Sequence, residues 1–155
     1  SLVDLVQDVF QKFELRAQAR HVTLHAHFPP QLPSVSADLG MIERVLSNLL
    51  DNALRYTPEG GSITVSIAVA GDACEVTVRD SGPGIPPELR EGLFRRPFTV
   101  GGARRDGGLG LRIVHKMLEL HGQTIQLVEG DGDDDSGGAG TGATFRFSLP
   151  LSAAA

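Results

Sequence analysis

The chain has 155 residues, of which 41% are hydrophobic and 21% charged, as expected for one globular domain with a single core. Its net charge of −5 argues against general nucleic-acid binding, which needs a basic surface. One cysteine, Cys74, excludes an internal disulfide. No apolar run approaches the roughly 20 residues of a membrane span, and the N-terminus lacks the pattern of a secretory leader. We therefore expect a cytoplasmic domain, with membrane anchoring of its parent protein left open.

The first third of the chain predicts two amphipathic helices separated by a strand. Apolar residues recur at helical spacing over residues 2–19, within an N-terminal helical segment 1–20. Residues 22–28 alternate between apolar and polar side chains and predict a strand. Prolines make the next connection extended, and a short strand is expected around residues 34–37. Asp38 is the predicted N-cap of a second helix that runs to about Tyr56.

The middle of the chain predicts a β-hairpin followed by irregular structure. Alternating apolar residues lie on both sides of a Gly71-Asp72 turn, which is typical of a hairpin. Residues 81–87 contain too much glycine and proline for a regular element. A short helix near residues 88–93 is expected next, and then an irregular stretch to Gly108.

The last third predicts a helix and two strands. The helix spans about residues 109–121 and ends at Gly122. Strands near residues 124–129 and 143–149 flank a Gly- and Asp-rich loop, 130–142, that is expected to be flexible. Because the strands come in hairpin pairs rather than in strict β-α-β alternation, the predicted fold class is α+β. It consists of a mostly antiparallel sheet covered on one face by helices.

The second predicted helix carries a polar stripe beside its apolar face. At 100° per residue, Asn48, Asn52 and Arg55 lie within about 60° of one another. Asparagine weakens a helix interior, so two asparagines at positions i and i+4 indicate a functional role. A carboxamide oxygen is a hard neutral ligand suited to Mg²⁺, and arginine suits phosphate. A hydrogen-bonded polar seam beside the core explains the same residues equally well.

A carboxylate ends the predicted hairpin. Strand alternation places Asp80 on the core face, where a carboxylate needs hydrogen-bond donors. The exocyclic amine of adenine is one such donor, and Gly82 and Gly84 would let a ligand approach the backbone. A carboxylate that accepts hydrogen bonds from the amides of its own turn is the simpler interpretation of this motif taken alone.

Two further segments have the composition of a phosphate-binding region. Phe94 to Phe98 encloses two arginines in a long connection, which is typical of a lid over a ligand or simply of a mobile basic loop. Gly107 to Leu111 opens the last predicted helix, where free amides and the helix dipole favour an anion. The glycine spacing matches neither the Rossmann fingerprint nor the P-loop, so this cluster is weak evidence by itself.

Taken in order, these segments resemble the boxes of the catalytic ATP-binding domain of bacterial sensor histidine kinases, within the GHKL (HATPase) superfamily. Residues 47–58 resemble the N box, 80–85 the G1 box, 94–98 the F box and 108–111 the G2 box. Residues 142–150 resemble the family's closing strand. The resemblance implies the GHKL, or Bergerat, fold: a two-layer α/β sandwich of a mixed sheet and about three helices.

The resemblance implies ATP and Mg²⁺ as cofactors and a role for each matched residue. Asp80 would accept a hydrogen bond from the adenine amine, and Asn52 would coordinate Mg²⁺. Asn48 and Arg55 would lie at the triphosphate and, with Asn52, carry catalysis. Tyr56 would pack near the base, and residues 86–106 would form the lid. The other nucleotide-contacting residues implied are Gly82, Gly84, Ile85, Phe98, Gly108, Leu109, Gly110, Leu111 and Thr144.

The implied reaction is transfer of the γ-phosphoryl group of ATP to a histidine on another domain. A phosphate-accepting histidine of this family precedes an acidic residue, and none of the five histidines here does. The acceptor is therefore expected on a separate dimerisation domain, absent from this chain together with a sensor domain. A response regulator is expected as an indirect partner, and the isolated domain, residues 1–155, is expected to be monomeric.

Three alternative functions share the fold. The first is an anti-sigma-factor serine kinase, and the second is an ATPase of the gyrase or mismatch-repair type. Those relatives usually carry a glutamate as general base where this chain has Asn48, which cannot accept a proton. The third is a module that binds a nucleotide or a partner without catalysis. Histidine needs no strong base in order to attack, so the histidine kinase hypothesis is preferred.

Overall fold

The computed structural model describes residues 2–82, 98–100, 103–105, 107–128 and 142–152. Within those residues the helices are α1 (Leu2–Ala19), α2 (Leu39–Tyr56) and α3 (Gly107–Leu120). The strands are β1 (Thr23–His27), β2 (Ser62–Ala70), β3 (Ala73–Asp80), β4 (Phe98–Val100), β5 (Ala103–Arg105), β6 (Ile125–Leu127) and β7 (Thr144–Pro150). The predictions for the helix near 88–93, for most of the F box and for residues 130–141 of the loop lie outside the described residues.

The main sheet is mixed and mostly antiparallel, as predicted. Its strand order is β1-β2-β3-β7-β6, in which β1 pairs with β2 in parallel and every other neighbouring pair is antiparallel. The parallel pair follows from the connection, since α2 separates β1 from β2 along the chain and two parallel strands need such a crossover. The β2–β3 hairpin turns at Gly71, which has a φ of +63°.

The core lies between this sheet and the helix layer. Inward residues of β2, β3 and β7 are buried and alternate with half-exposed polar residues, which matches the period-2 pattern of the sequence. α2 packs between α1 and α3 and contacts β2 and β3, while α1 contacts β1 and α3 contacts β6 at the two edges of the sheet. Cys74 is buried in β3, and burial, together with the neighbouring Glu75, raises the pKa of its thiol. It is a core residue.

Three local details differ from the predictions. The strand expected around residues 34–37 is a single bridge between Val35 and Leu151, because the neighbouring prolines lack the amides that a ladder needs. Helix α3 begins at Gly107, two residues before the predicted start. β4 pairs antiparallel with β5 in a stretch predicted to be irregular, since three-residue strands are too short to show an alternation.

None of the helices in the described residues has the length and the apolar content that a membrane span requires.

The helix ends explain where the elements stop. The Asp38 side chain accepts a hydrogen bond from the Met41 amide at 3.1 Å, so Asp38 is the N-cap of α2 as predicted. α1 and α3 both end in a Schellman motif, with a left-handed residue just past the helix. That residue is Gly122 in α3, with a φ of +74°, but His21 in α1, with a φ of +56°.

Replacing His21 with glycine should stabilise the fold by about 0.5–1 kcal/mol. The left-handed conformation costs a non-glycine residue about 1–2 kcal/mol, which glycine avoids. Glycine loses more conformational entropy on folding, and this loss offsets about 0.5–1 kcal/mol of the gain. The His21–Glu59 ion pair that is lost is mostly exposed and contributes little. Urea unfolding measures the change. Gly122→Ala, at the equivalent position of α3, should have the opposite sign, and equal signs for the two substitutions would contradict the interpretation.

Candidate functional site

Two ion pairs show which side of α2 faces α1. Lys12 Nζ lies 2.7 Å from Glu43 Oε1, and Arg16 Nη1 lies 2.9 Å from Asp51 Oδ1. At 100° per residue, Asn52 lies about 140° from the direction midway between Glu43 and Asp51. Asn52 therefore faces away from α1, on the side of the helix layer where α3 packs.

Both asparagines of α2 carry buried amide atoms that have no hydrogen-bond partner among the described residues. Asn52 is 2% exposed, and within the described residues neither Oδ1 nor Nδ2 of its side chain has a hydrogen-bond partner. The same holds for Nδ2 of Asn48, whereas the other such atom, Ser47 Oγ, belongs to the α1 side of the helix. A buried polar group left unpaired costs about 1–3 kcal/mol. The predicted alternative, a hydrogen-bonded seam, is not seen for Asn52 within the described residues.

Arg55 and Tyr56 occupy the last turn of α2. Arg55 is exposed, and its Nε lies 3.3 Å from Asp51 Oδ2, one turn earlier on the same helix. Tyr56 is half-buried and immediately precedes Thr57, the C-cap of α2. The last turn therefore carries an aromatic ring and a cation next to the buried amide of Asn52.

The end of α2 is held in place by a residue that the sequence did not single out. The guanidinium of Arg20, just past α1, donates hydrogen bonds to the backbone carbonyls of Leu54 and, at 2.8 Å, of Thr57. The Thr57 hydroxyl donates to the Ala53 carbonyl at 2.6 Å. The bonds from Arg20 satisfy carbonyls that a helix terminus otherwise leaves unpaired, and all three bonds fix the turn that carries Arg55 and Tyr56.

Asp80 ends β3 and points toward the core, as its alternation predicted. It is 4% exposed, and its Oδ1 accepts hydrogen bonds from the amides of Gly82 at 2.9 Å and Ala143 at 3.2 Å. The first bond is the local turn interaction that the sequence suggested. The second comes from the start of β7, and it joins two segments that lie 63 residues apart.

Two glycines bring this carboxylate against α2 and β7. A Cβ at Gly82 would lie 2.6 Å from the Tyr56 carbonyl oxygen, and one at Gly142, whose φ is +80°, would lie 1.6 Å from the Asp80 carbonyl oxygen. A side chain at either position would separate the segments. Gly82 is therefore required for packing, in addition to its predicted role of letting a ligand approach the backbone. Gly142 was missed as a site residue, although a glycine directly before a strand was its visible signal.

The remaining predicted residues are placed as follows. Leu111 is buried in α3, and Gly108, Leu109 and Gly110 lie in its first turn. Phe98 begins β4, and Gly84 and Ile85 lie outside the described residues. Thr144 is buried, but alternation with Phe145 places it on the sheet face opposite the helices, whereas Ala143 is on the core face with Asp80. The nucleotide contacts of these residues remain predictions.

The described residues offer few other ways to hold a cation. Among them, no group of three or more His, Cys, Asp or Glu side chains is arranged to bind a metal. The unpaired carboxamide oxygen of Asn52 is a hard donor of the kind that Mg²⁺ accepts. Mg²⁺ usually keeps several waters and binds through one or two protein ligands plus phosphates, so a single amide oxygen fits this cation.

Comparisons with known proteins agree on the family to which this chain is similar. Residues 37–153 match the family described as histidine kinase-, DNA gyrase B- and HSP90-like ATPases. The sensor histidine kinase TmoS of Ectopseudomonas mendocina is 38% identical over 157 residues, covering 98% of this chain and 15% of TmoS. This chain thus spans about a seventh of the length of that relative.

Solved structures agree with the sequence match. The catalytic domain of histidine kinase ThkA, in a nucleotide-free form, has a TM-score of 0.80 at 30% identity and covers 97% of this chain and 94% of its own. ThkA was also solved in complex with the response regulator TrrA, with a TM-score of 0.78 at 29% identity, 98% of this chain and 41% of that one. Full-length ShkA in complex with AMPPNP has a TM-score of 0.79 at 28% identity, covering 99% and 31% respectively.

The fold, the box order and these matches agree, and the α+β prediction is confirmed. The chain belongs to the family of histidine kinase-, DNA gyrase B- and HSP90-like ATPases, as an ATP-binding catalytic domain of the sensor histidine kinase type.

Proposed function

We propose that this domain binds ATP with Mg²⁺ at the corner between α2 and the end of β3, and transfers the γ-phosphoryl group to a histidine on a separate dimerisation domain. The observation that carries the proposal is a set of buried amide atoms on α2, Nδ2 of Asn48 and both polar atoms of Asn52, that have no hydrogen-bond partner among the described residues. They lie one and two turns before Tyr56, whose carbonyl packs on Gly82 beside Asp80. One corner therefore combines donors and acceptors suited to both ends of a nucleotide.

The adenine end is supported by the position of Asp80. Its Oδ1 is held by two backbone amides, which fix the orientation of the whole carboxylate. A buried carboxylate oriented in this way recognises an amine donor, and adenine presents one at its exocyclic nitrogen. Tyr56, at the end of α2, is placed to pack near the base.

The phosphate end is supported by α2 and by the start of α3. The Asn52 carboxamide oxygen would hold Mg²⁺, and the Asn48 amide would donate to a phosphate oxygen. When bound, Mg²⁺ neutralises charge on the β- and γ-phosphates. The first turn of α3 holds Gly108 and Gly110, where free amides and the positive end of the helix dipole suit the phosphates. Arg55 supplies a further positive charge.

The residues of this site position the reactants and supply no base. Asn48 cannot accept a proton, which matches an imidazole nucleophile, because imidazole carries a free lone pair on one ring nitrogen when neutral. Phosphoryl transfer passes through a loose transition state that is stabilised mainly by positioning and by charge. The domain thus holds ATP in line for a histidine that another domain presents.

The partners follow from the same proposal. The acceptor is a histidine-containing dimerisation domain of the parent protein, and a response regulator is the next recipient. The structure of ThkA in complex with TrrA supports a regulator as partner of such kinases. The isolated domain is proposed to be monomeric, which light scattering of the purified chain tests directly.

Two measurements test the function. Calorimetric titration with AMPPNP, with Mg²⁺ and with EDTA, should show binding that Mg²⁺ strengthens, and the absence of binding to the folded chain would refute the nucleotide site. Mixing the chain with [γ-³²P]ATP and the histidine-containing dimerisation domain of the parent protein should then label that domain on a histidine. Label that survives alkali but not acid identifies the phosphoramidate, whereas alkali-labile label on a serine would favour the serine kinase alternative.

A further inference from the structure

Three charged side chains form a row that leads from α1 to the last turn of α2. Arg16 Nη1 lies 2.9 Å from Asp51 Oδ1, and Arg55 Nε lies 3.3 Å from Asp51 Oδ2. One carboxylate therefore holds two arginines, one on each oxygen. Arg16 has a second support, because its guanidinium lies 5.4 Å from the centre of the Phe13 ring. We call Arg16, Asp51 and Arg55 the charge row.

The charge row ends at a residue to which the proposed function assigns a phosphate contact. A triphosphate that recruits Arg55 must compete with Asp51, which neutralises the same guanidinium and repels the anion. Arg16 acts in the opposite direction, because it offsets part of the charge on Asp51. Side-chain exposures of 49%, 37% and 47% along the row mean that solvent screens each pair, so the competition is modest in size.

We propose that Asp51 is a positioning residue that restrains Arg55 and lowers the affinity of the site for the triphosphate. Arg16 moderates this restraint, so the packing of α1 on α2 is coupled to nucleotide binding. The inference rests on the proposed function, since it takes Arg55 to contact phosphate. It adds that the N-terminal helix, which carries none of the four boxes, tunes the phosphate site.

The row predicts effects of alternating sign. Asp51→Asn should tighten ATP binding by about two- to fivefold, and Arg16→Gln should weaken it by about the same factor, as expected for exposed ion pairs. Arg55→Gln should weaken it by about tenfold or more, the value of a hydrogen bond to a charged group. In the Arg55→Gln background, Asp51→Asn should have a much smaller effect, limited to relief of the direct repulsion between Asp51 and the triphosphate. A purely structural role for Asp51 would not tighten binding when it is removed.

The chain provides a matched control in the Lys12–Glu43 ion pair. It joins the same two helices at 2.7 Å with a similar exposure, but among the described ion pairs it contains no third charge. Glu43 precedes Asp51 by eight residues, roughly 12 Å along the axis, which exceeds the Debye length of about 10 Å at 0.1 M salt. Glu43→Gln and Lys12→Gln repeat the changes in net charge and should alter ATP affinity by less than about 1.5-fold.

The test is calorimetric titration of the 155-residue chain and these variants with ATP and with adenosine at 100 and 300 mM NaCl. Thermal unfolding confirms that each variant folds, and Asp51→Ala replaces Asp51→Asn if the latter does not. The expected result is opposite shifts for Asp51→Asn and Arg16→Gln that depend on Arg55, are absent with adenosine and shrink at high salt. If Asp51→Asn matches Glu43→Gln while Arg55→Gln still weakens ATP binding, the inference is wrong but the site stands. No ATP binding by the wild type would overturn both.

Discussion

Asp80→Asn should weaken ATP binding by roughly 30- to 150-fold while leaving the fold intact. The asparagine oxygen can still accept from the Gly82 and Ala143 amides that now bond Oδ1, so the corner between β3 and β7 is retained. The other carboxylate oxygen becomes an NH₂ group, which opposes the adenine amine as donor against donor. Losing a hydrogen bond to a charged acceptor costs about 1.5–3 kcal/mol, and the mismatch adds to it.

The measurement is calorimetric titration with AMPPNP and with the inosine triphosphate analogue, which lacks the exocyclic amine. The wild type should prefer the adenine nucleotide, and Asp80→Asn should remove that preference. Asp72→Asn, an exposed carboxylate in the turn of the same hairpin, is the matched control and should behave as wild type. An Asp80→Asn variant that keeps full affinity and full preference for adenine would place the base elsewhere.

Asn52→Ala should abolish the Mg²⁺ dependence of ATP binding and at the same time stabilise the unliganded fold by about 1 kcal/mol. The gain has two sources. The substitution removes a buried amide that has no partner among the residues that the structure describes, and alanine is the better helix former. The loss follows because the carboxamide oxygen is the proposed Mg²⁺ ligand. Functional sites often contain residues that lower the stability of the fold and are kept because they support binding.

Ser47→Ala is the matched control for that result. Ser47 Oγ is also buried on α2 and has no hydrogen-bond partner in the described part of the chain, but it belongs to the side that faces α1. Its removal should raise stability as well, without changing affinity in Mg²⁺ or in EDTA. Asn52→Asp retains an oxygen ligand and should keep the Mg²⁺ effect. If Asn52→Ala still binds ATP more tightly with Mg²⁺ than without it, Asn52 is not the ligand.

Local sequence patterns predict most of the helices and strands and the direction in which the main site residues point. Helical spacing located α1 and α2, and Asp38 marked the start of α2. Alternation along β3 placed Asp80 on the core face before any tertiary contact was known. These features depend on periods of 3.6 and 2.0 residues, and such periods are local properties that a short stretch of chain displays completely.

Long-range packing brings together the segments that meet at the site. The Ala143 amide reaches Asp80, and Arg20 reaches Leu54 and Thr57, across 34 to 63 residues of chain. The same holds for the contact of Gly82 with Tyr56, which gives that glycine a packing role. Such contacts depend on strand order and register and on how α2 rotates between its neighbours. No local pattern encodes these quantities, because they result from burying all the apolar faces at once.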